Sequence, residues 1–217
     1  MVLIERTAYP RPGGRPAEAE LASLYTPTRR EVVLARSATR GEGSMLGFLV
    51  MLKSFQRLGY FPRPEDVPEA VVSHIRSRLW LPAEEAAPDA PRRSRQRHRD
   101  HIREHLGVRA YGEDARRLAT QAVADAALTM DDPADLVNVA IEELVKERYE
   151  LPAFSTLDRL ARHVKYAVNA RLFTRLDGGI VKSCGSILDH AASFSSSFPS
   201  TNSPSTNFAP ALTNATK

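Results

Sequence analysis

Apolar residues recur at three- and four-residue spacing along most of this chain, the pattern of helices that bury one face. Met45, Leu46, Leu49, Leu52 and Phe55 make such a stripe over Glu42–Leu58, and Gly59 supplies the stop. Val71, Val72, Ile75, Leu79 and Trp80 repeat it over Pro68–Leu81. Ahead of these, Pro16–Tyr25 predicts a short helix, and Thr26 followed by Pro27 predicts the start of another that turns Val32, Val33 and Ala35 inward. Past the segment LPAEEAAPDAP, four more helices are predicted. They are Arg92–Leu106, Glu113–Thr129, Pro133–Tyr149 capped by Asp132, and Thr156–Leu176 capped by Ser155. No stretch of this body alternates with period two, so the expected fold class is all-α.

Composition divides the chain. Up to Asp177 the sequence is rich in Arg, Glu, Leu and Ala, whereas the 40 residues from Gly178 hold no Arg and no Glu. Nine Ser and four Thr fill much of that tail, which is expected to be disordered apart from a short helix at Ile180–Ala192. The abrupt end of arginine usage suggests a frameshift or a fusion, with a natural flexible tail as the alternative. The expected organisation is an N-terminal helical subdomain (1–81), a Pro/Ala-rich joint (82–91), a basic helical subdomain (92–177) and the tail (178–217).

At 217 residues, 42% hydrophobic and 26% charged, the chain can bury a core, and it has no run of apolar residues long enough for a membrane helix. One cysteine, Cys184, can neither form an internal disulfide nor hold a structural zinc. With no secretory signal at the start, a cytoplasmic location with no membrane partner is expected. A net charge of +4 does not by itself call for nucleic acid. The kind of base matters more: of 30 basic residues only Lys53, Lys146, Lys165, Lys182 and Lys217 are lysine. Arginine suits phosphates and guanine edges, although GC-rich coding sequence also yields it.

Two segments carry candidate chemistry. Arg92, Arg93, Arg95, Arg97, Arg99, Arg103 and Arg109 crowd one stretch against only Asp100 and Glu104. On a helix Arg95, Arg99 and Arg103, with Arg92 a turn earlier, form one stripe, and such a stripe suits a polyanion. A solvated helix face with acidic neighbours is the alternative. His98, His101 and His105 share another face of that helix, packed near Ile102, with no cysteine or carboxylate motif to make a metal site. The second segment, DPADLVNVAIEELVKERYELPAFSTLDRLARHVKYAVNARL, reads as a helix-turn-helix. Leu157, Leu160, Ala161, Val164 and Val168 face its core, and Asp158 at the third helical position assists the cap. Thr156, Arg159 and Arg162 are then the base-reading candidates, with Lys165, Arg171 and Arg175 as phosphate contacts. No glycine-rich phosphate loop, no GxSxG and no base–nucleophile constellation is present, so no cofactor and no catalytic residue is expected.

The same residues resemble the N-terminal region of transposases of the Tn-three family, from about Leu24 to Leu176. LGFLVMLKSFQRLGYFP, PEAVVSHIRSRL, RQRHRDHIREHLGVRAYG and ELPAFSTLDRLARHV carry the resemblance through their order and spacing. The resemblance implies a helical front part that recognises the terminal inverted repeats of a transposon. It also implies a catalytic carboxylate domain elsewhere, with no counterpart in these residues, so a DNA-binding fragment of a transposase without strand transfer is expected. The segment Pro82–Pro91 departs from the family's tyrosine-containing joint. The expected partner is double-stranded DNA at transposon ends; contact with a full-length transposase, as an interaction module or inhibitor, and a non-functional remnant are the rival readings.

Overall fold

The computed structural model describes residues 3–14, 16–82 and 91–171. Arg175, most of the joint, Cys184 and the expected tail with its short helix lie outside the described residues. Residues 1–170 form one compact unit. Among the described residues the architecture is all-α, with eight α-helices and a single isolated bridge between Arg109 and Tyr149. No described helix is long and apolar enough to cross a membrane.

The helices are α1 (Glu18–Leu24), α2 (Arg29–Ala38), α3 (Glu42–Leu58), α4 (Glu69–Arg78), α5 (Arg92–Leu106), α6 (Glu113–Ala126), α7 (Pro133–Lys146) and α8 (154–171). The span of α3 matches the one that its apolar periodicity predicts, and that of α5 matches the expected basic helix. Four local expectations do not hold. Val33 of α2, expected to turn inward, is 67% exposed. α2 is capped by Thr28, not Thr26, because Thr28 and Glu31 close a reciprocal capping box; the Thr26 hydroxyl instead bonds His74 Nε2 at 3.0 Å. α8 starts at residue 154, so Ser155 lies inside its first turn and Asp158 does not cap it. Trp80 leaves the α4 stripe: it is 93% exposed and takes φ 59, ending the helix with its N–H on Ser77 O at 3.2 Å.

Two apolar cores organise the unit. The first gathers Ala35, the Leu46–Leu49–Leu52 face of α3, Val71 and Ile75 of α4, and Ile102 of α5. The second joins Ala115, Ala119 and Val123 of α6 to Leu136, Val137, Ala140 and Leu144 of α7 and to Leu157, Ala161 and Val164 of α8. The division does not fall at the joint, since Ile102 beyond it belongs to the first core and Tyr9 at the chain start belongs to the second. Tyr9 stacks on Tyr60 at 5.3 Å and meets the edge of Phe154 at 5.6 Å, which ties the N-terminal segment to the start of α8.

A charge lies inside the first core. Glu31 and Lys53 are both buried at 3.4 Å, and Gln56 Nε2 donates to Glu31 at 2.7 Å. Burial pushes the Glu31 carboxyl up, but donation from the Thr28 backbone and Gln56, with the Lys53 charge, outweighs it and holds the group below its ordinary 4.5. A depressed native value contributes stability above the unfolded value, and that contribution is lost as pH falls through the native one. Urea midpoints should therefore decline as pH is lowered below about 4.5, and Glu31→Gln should flatten part of that decline while lowering stability at pH 7.

Candidate nucleic-acid interface

α5 is amphipathic in an unusual way, because its buried face holds only His98 and Ile102 and is completed by arginine stems. Arg95, Arg99 and Arg103 lie on this half-buried side, contrary to the outward polyanion-facing stripe expected of them. The guanidinium carbons of Arg99 and Arg103 sit 5.2 and 5.3 Å from the centroid of the Phe61 ring. Arg103 is fully committed: Nε donates to Glu150 at 2.6 Å and Nη1 to Asp100 at 2.7 Å. Arg95 is partly buried and also engaged. Arg92, Arg93 and Arg97 point to solvent, with no ion pair among the described residues.

The histidines of α5 do not converge. His98 is buried, edge-on to Phe48 at 5.5 Å, and burial together with Arg97 and His101 pushes its pKa down. His101 is half-buried and His105 is exposed. Among the described residues no group of three His, Cys, Asp or Glu is placed to hold a metal ion.

In the second core, α7 and α8 are joined by a turn over 147–153, and α6 packs across α7. The expected buried face of α8 is realised by Leu157, Ala161 and Val164, with Leu160 and Val168 partly buried. Arg159 is exposed, with no ion pair among the described residues; Thr156 is half-buried. Arg162 donates Nη2 to the buried Asp158 carboxylate at 2.7 Å, one helical turn back, while half of its side chain stays exposed. Lys165 turns away from solvent. Its ammonium caps the end of α6 through Ala127 O at 3.1 Å and Met130 O at 2.9 Å, and it bonds Asp131 at 2.6 Å. That hydrogen bond holds the Asp131 carboxyl below its ordinary range. Arg109 stacks over Tyr149 at 3.9 Å and donates to Glu147 O at 2.7 Å, so it serves the fold around the bridge. Arg171 is exposed.

One basic surface escapes the reading by charge runs. On α2 and just past it, Arg29, Arg30, Arg36 and Arg40 are all exposed, and none forms an ion pair among the described residues. The one acid of that helix, Glu31, is buried with Lys53. The signal lay in the spacing rather than the density, since Arg29 and Arg36 stand two turns apart on one face of α2.

The commitment of Arg103 can be measured. Glu150 is only 17% exposed at its side chain, so Arg103→Ala leaves a poorly solvated carboxylate unpaired. A loss of about 2–3 kcal/mol is expected in denaturant unfolding, against under about 0.5 kcal/mol for Arg97→Ala. Equal, small losses for both would contradict the strut assigned to Arg103.

Residues 3–164 match the family described as a domain of unknown function, DUF4158. With three quarters of its length inside that match, the chain belongs to the DUF4158 family.

Proposed function

We propose that this chain binds double-stranded DNA without cutting it, as the end-recognising part of a transposase. The observation that carries the reading is the head of α5, where Arg92, Arg93 and Arg97 face solvent without an acidic partner among the described residues. The first turn of α5 holds no acidic residue, although a helix start favours acids. Such an arrangement gains most from a polyanion. Arg29, Arg30, Arg36 and Arg40 add phosphate contacts from α2. Arg159, exposed near the start of α8, is the base reader on this reading, with α7 and α8 as a helix-turn-helix. Arg162 supports the recognition helix through Asp158. The resemblance of the ordered segments to the front part of Tn-three family transposases points to the terminal inverted repeats as the cognate sequence.

A second reading, contact with a full-length transposase, is favoured by Trp80. A bulky residue held at φ 59 and 93% exposed spends backbone strain on presenting an aromatic anchor. Pull-down with full-length transposase should survive nuclease treatment if that contact exists, and Trp80→Ala should abolish it.

For the DNA reading, affinity for a terminal-repeat duplex and for a scrambled one is to be measured across a salt series. Replacing Arg92, Arg93 and Arg97 together with alanine should weaken both complexes and reduce the slope of log K on log salt by about 2–3. Arg159→Ala should cost about 1–3 kcal/mol on the terminal repeat alone. A slope unchanged by the triple replacement removes α5 from the interface.

A further inference from the structure

A cleft of about 710 Å³ opens between α3, the loop after it, α4 and the head of α5. We propose that it binds the phosphate of a single nucleotide unit, held by Arg99, Arg92 and Arg63. This goes beyond duplex binding by the outward faces and does not depend on it.

Three observations converge. The volume lies in the range of small-ligand sites and is too small to admit a duplex. Val50, Met51, Val72 and the Phe61 ring give the cleft an apolar lining, which suits a base. The charges that line it are unbalanced. Glu65 lies 3.9 Å from Arg63 and Glu69 lies 3.7 Å from Arg76, so both acids already have arginine neighbours. Arg92 and Arg99 have no acidic partner among the described residues.

Arg99 is the centre of the argument. Its guanidinium is pressed against Phe61, whose ring also meets Phe55 at 4.5 Å, so the arginine is held in place. Its Nε–H is buried and has no hydrogen-bond partner among the described residues. Arg103, on the same ring, has two carboxylates, whereas Arg99 has none. A buried, unsatisfied donor on a charged group is costly, and an oxyanion bound in the cleft would complete it. An arginine fork matches phosphate oxygens in a bidentate way. The phosphate can come from a DNA strand end or from a free nucleotide.

The test uses the whole chain and 5′-phosphorylated dithymidine, with unphosphorylated dithymidine and inorganic phosphate beside it, read by calorimetry. The phosphorylated probe should bind at least about tenfold tighter than the unphosphorylated one, and Arg99→Gln should remove about that factor. Arg63 is 80% exposed at its side chain, so Arg63→Ala leaves the fold alone and should weaken the phosphorylated probe about threefold; it keeps the test open if the Arg99 variant misfolds. Displacement of the probe by a duplex with a phosphorylated single-stranded overhang, and not by a blunt one, assigns the site to strand ends. Displacement by mononucleotides alone assigns it to free nucleotide. Equal binding of the two dithymidines, or full affinity in both variants, overturns the proposal. Arg93→Ala with Arg97→Ala should weaken duplex binding and leave the probe unaffected, so failure of either reading is seen separately.

Discussion

The turn between α7 and α8 is held from four directions, and the position of α8 depends on it. Turn backbone that is turned away from water must find partners. Here Glu150 N–H donates to Arg109 O at 2.9 Å, and Arg109 N–H donates to Arg148 O at 2.8 Å. Leu151 N–H donates to Gly59 O at 2.9 Å, and the Tyr9 hydroxyl donates to Pro152 O at 2.8 Å. Arg103 closes on the Glu150 side chain. The partners thus come from the chain start, the end of α3, α5 and the segment after it. Gly59 is needed at its place: it takes φ 73, and a Cβ there would meet the Leu151 side chain at 3.4 Å. The first core, through α3 and α5, therefore positions the turn that launches α8.

The same geometry explains why three helices end alike. At the ends of α4, α5 and α7 the residue past the helix turns left-handed, and the following N–H reaches back to Arg76 O, Arg103 O and Leu144 O. Glycine occupies that place only in α5, as Gly107; Trp80 and Arg148 fill it in the others, at φ 59 and 55. A non-glycine residue there costs about 1–2 kcal/mol. At Arg148 the cost is offset by the bridge to Arg109 that begins one residue later. At Trp80 no contact among the described residues offsets it, which is why its side chain is read as presented rather than packed.

Arginine periodicity was legible in the sequence, but its direction was not. The spacing of Arg95, Arg99 and Arg103 places them on one face, and they do share one, yet that face is the inner side. A guanidinium can lie on an aromatic ring with its stem buried, so a basic stripe does not specify outward. Phe61, which receives two of these arginines, comes from a loop far away in sequence. By contrast the span of α3 and the buried face of α8 follow from apolar spacing, because burial is a local demand repeated every turn. Lys165 was misplaced for a related reason: its carbonyl partners at Ala127 and Met130 lie in the segment that follows α6, invisible to any pattern along α8. The ion pair of Arg162 with Asp158 stands at four-residue spacing and could have been read directly.

The heads of α2 and α5 bring these threads together. Both helices open on paired arginines, Arg29–Arg30 and Arg92–Arg93, where the helix dipole disfavours cations by about 0.3–1 kcal/mol each. In α2 the opposition is relieved, since Glu31 closes the capping box in the same turn. In α5 nothing among the described residues relieves it: Pro91 makes no side-chain cap, and the first turn has no acid. A phosphate docking at that end reverses the sign of the argument, because the free N–H groups and the guanidiniums then attract the same charge. On the proposed readings, the outward arginines and Arg99 on the inner side of the same helix would meet one kind of partner, an oxyanion, from two directions.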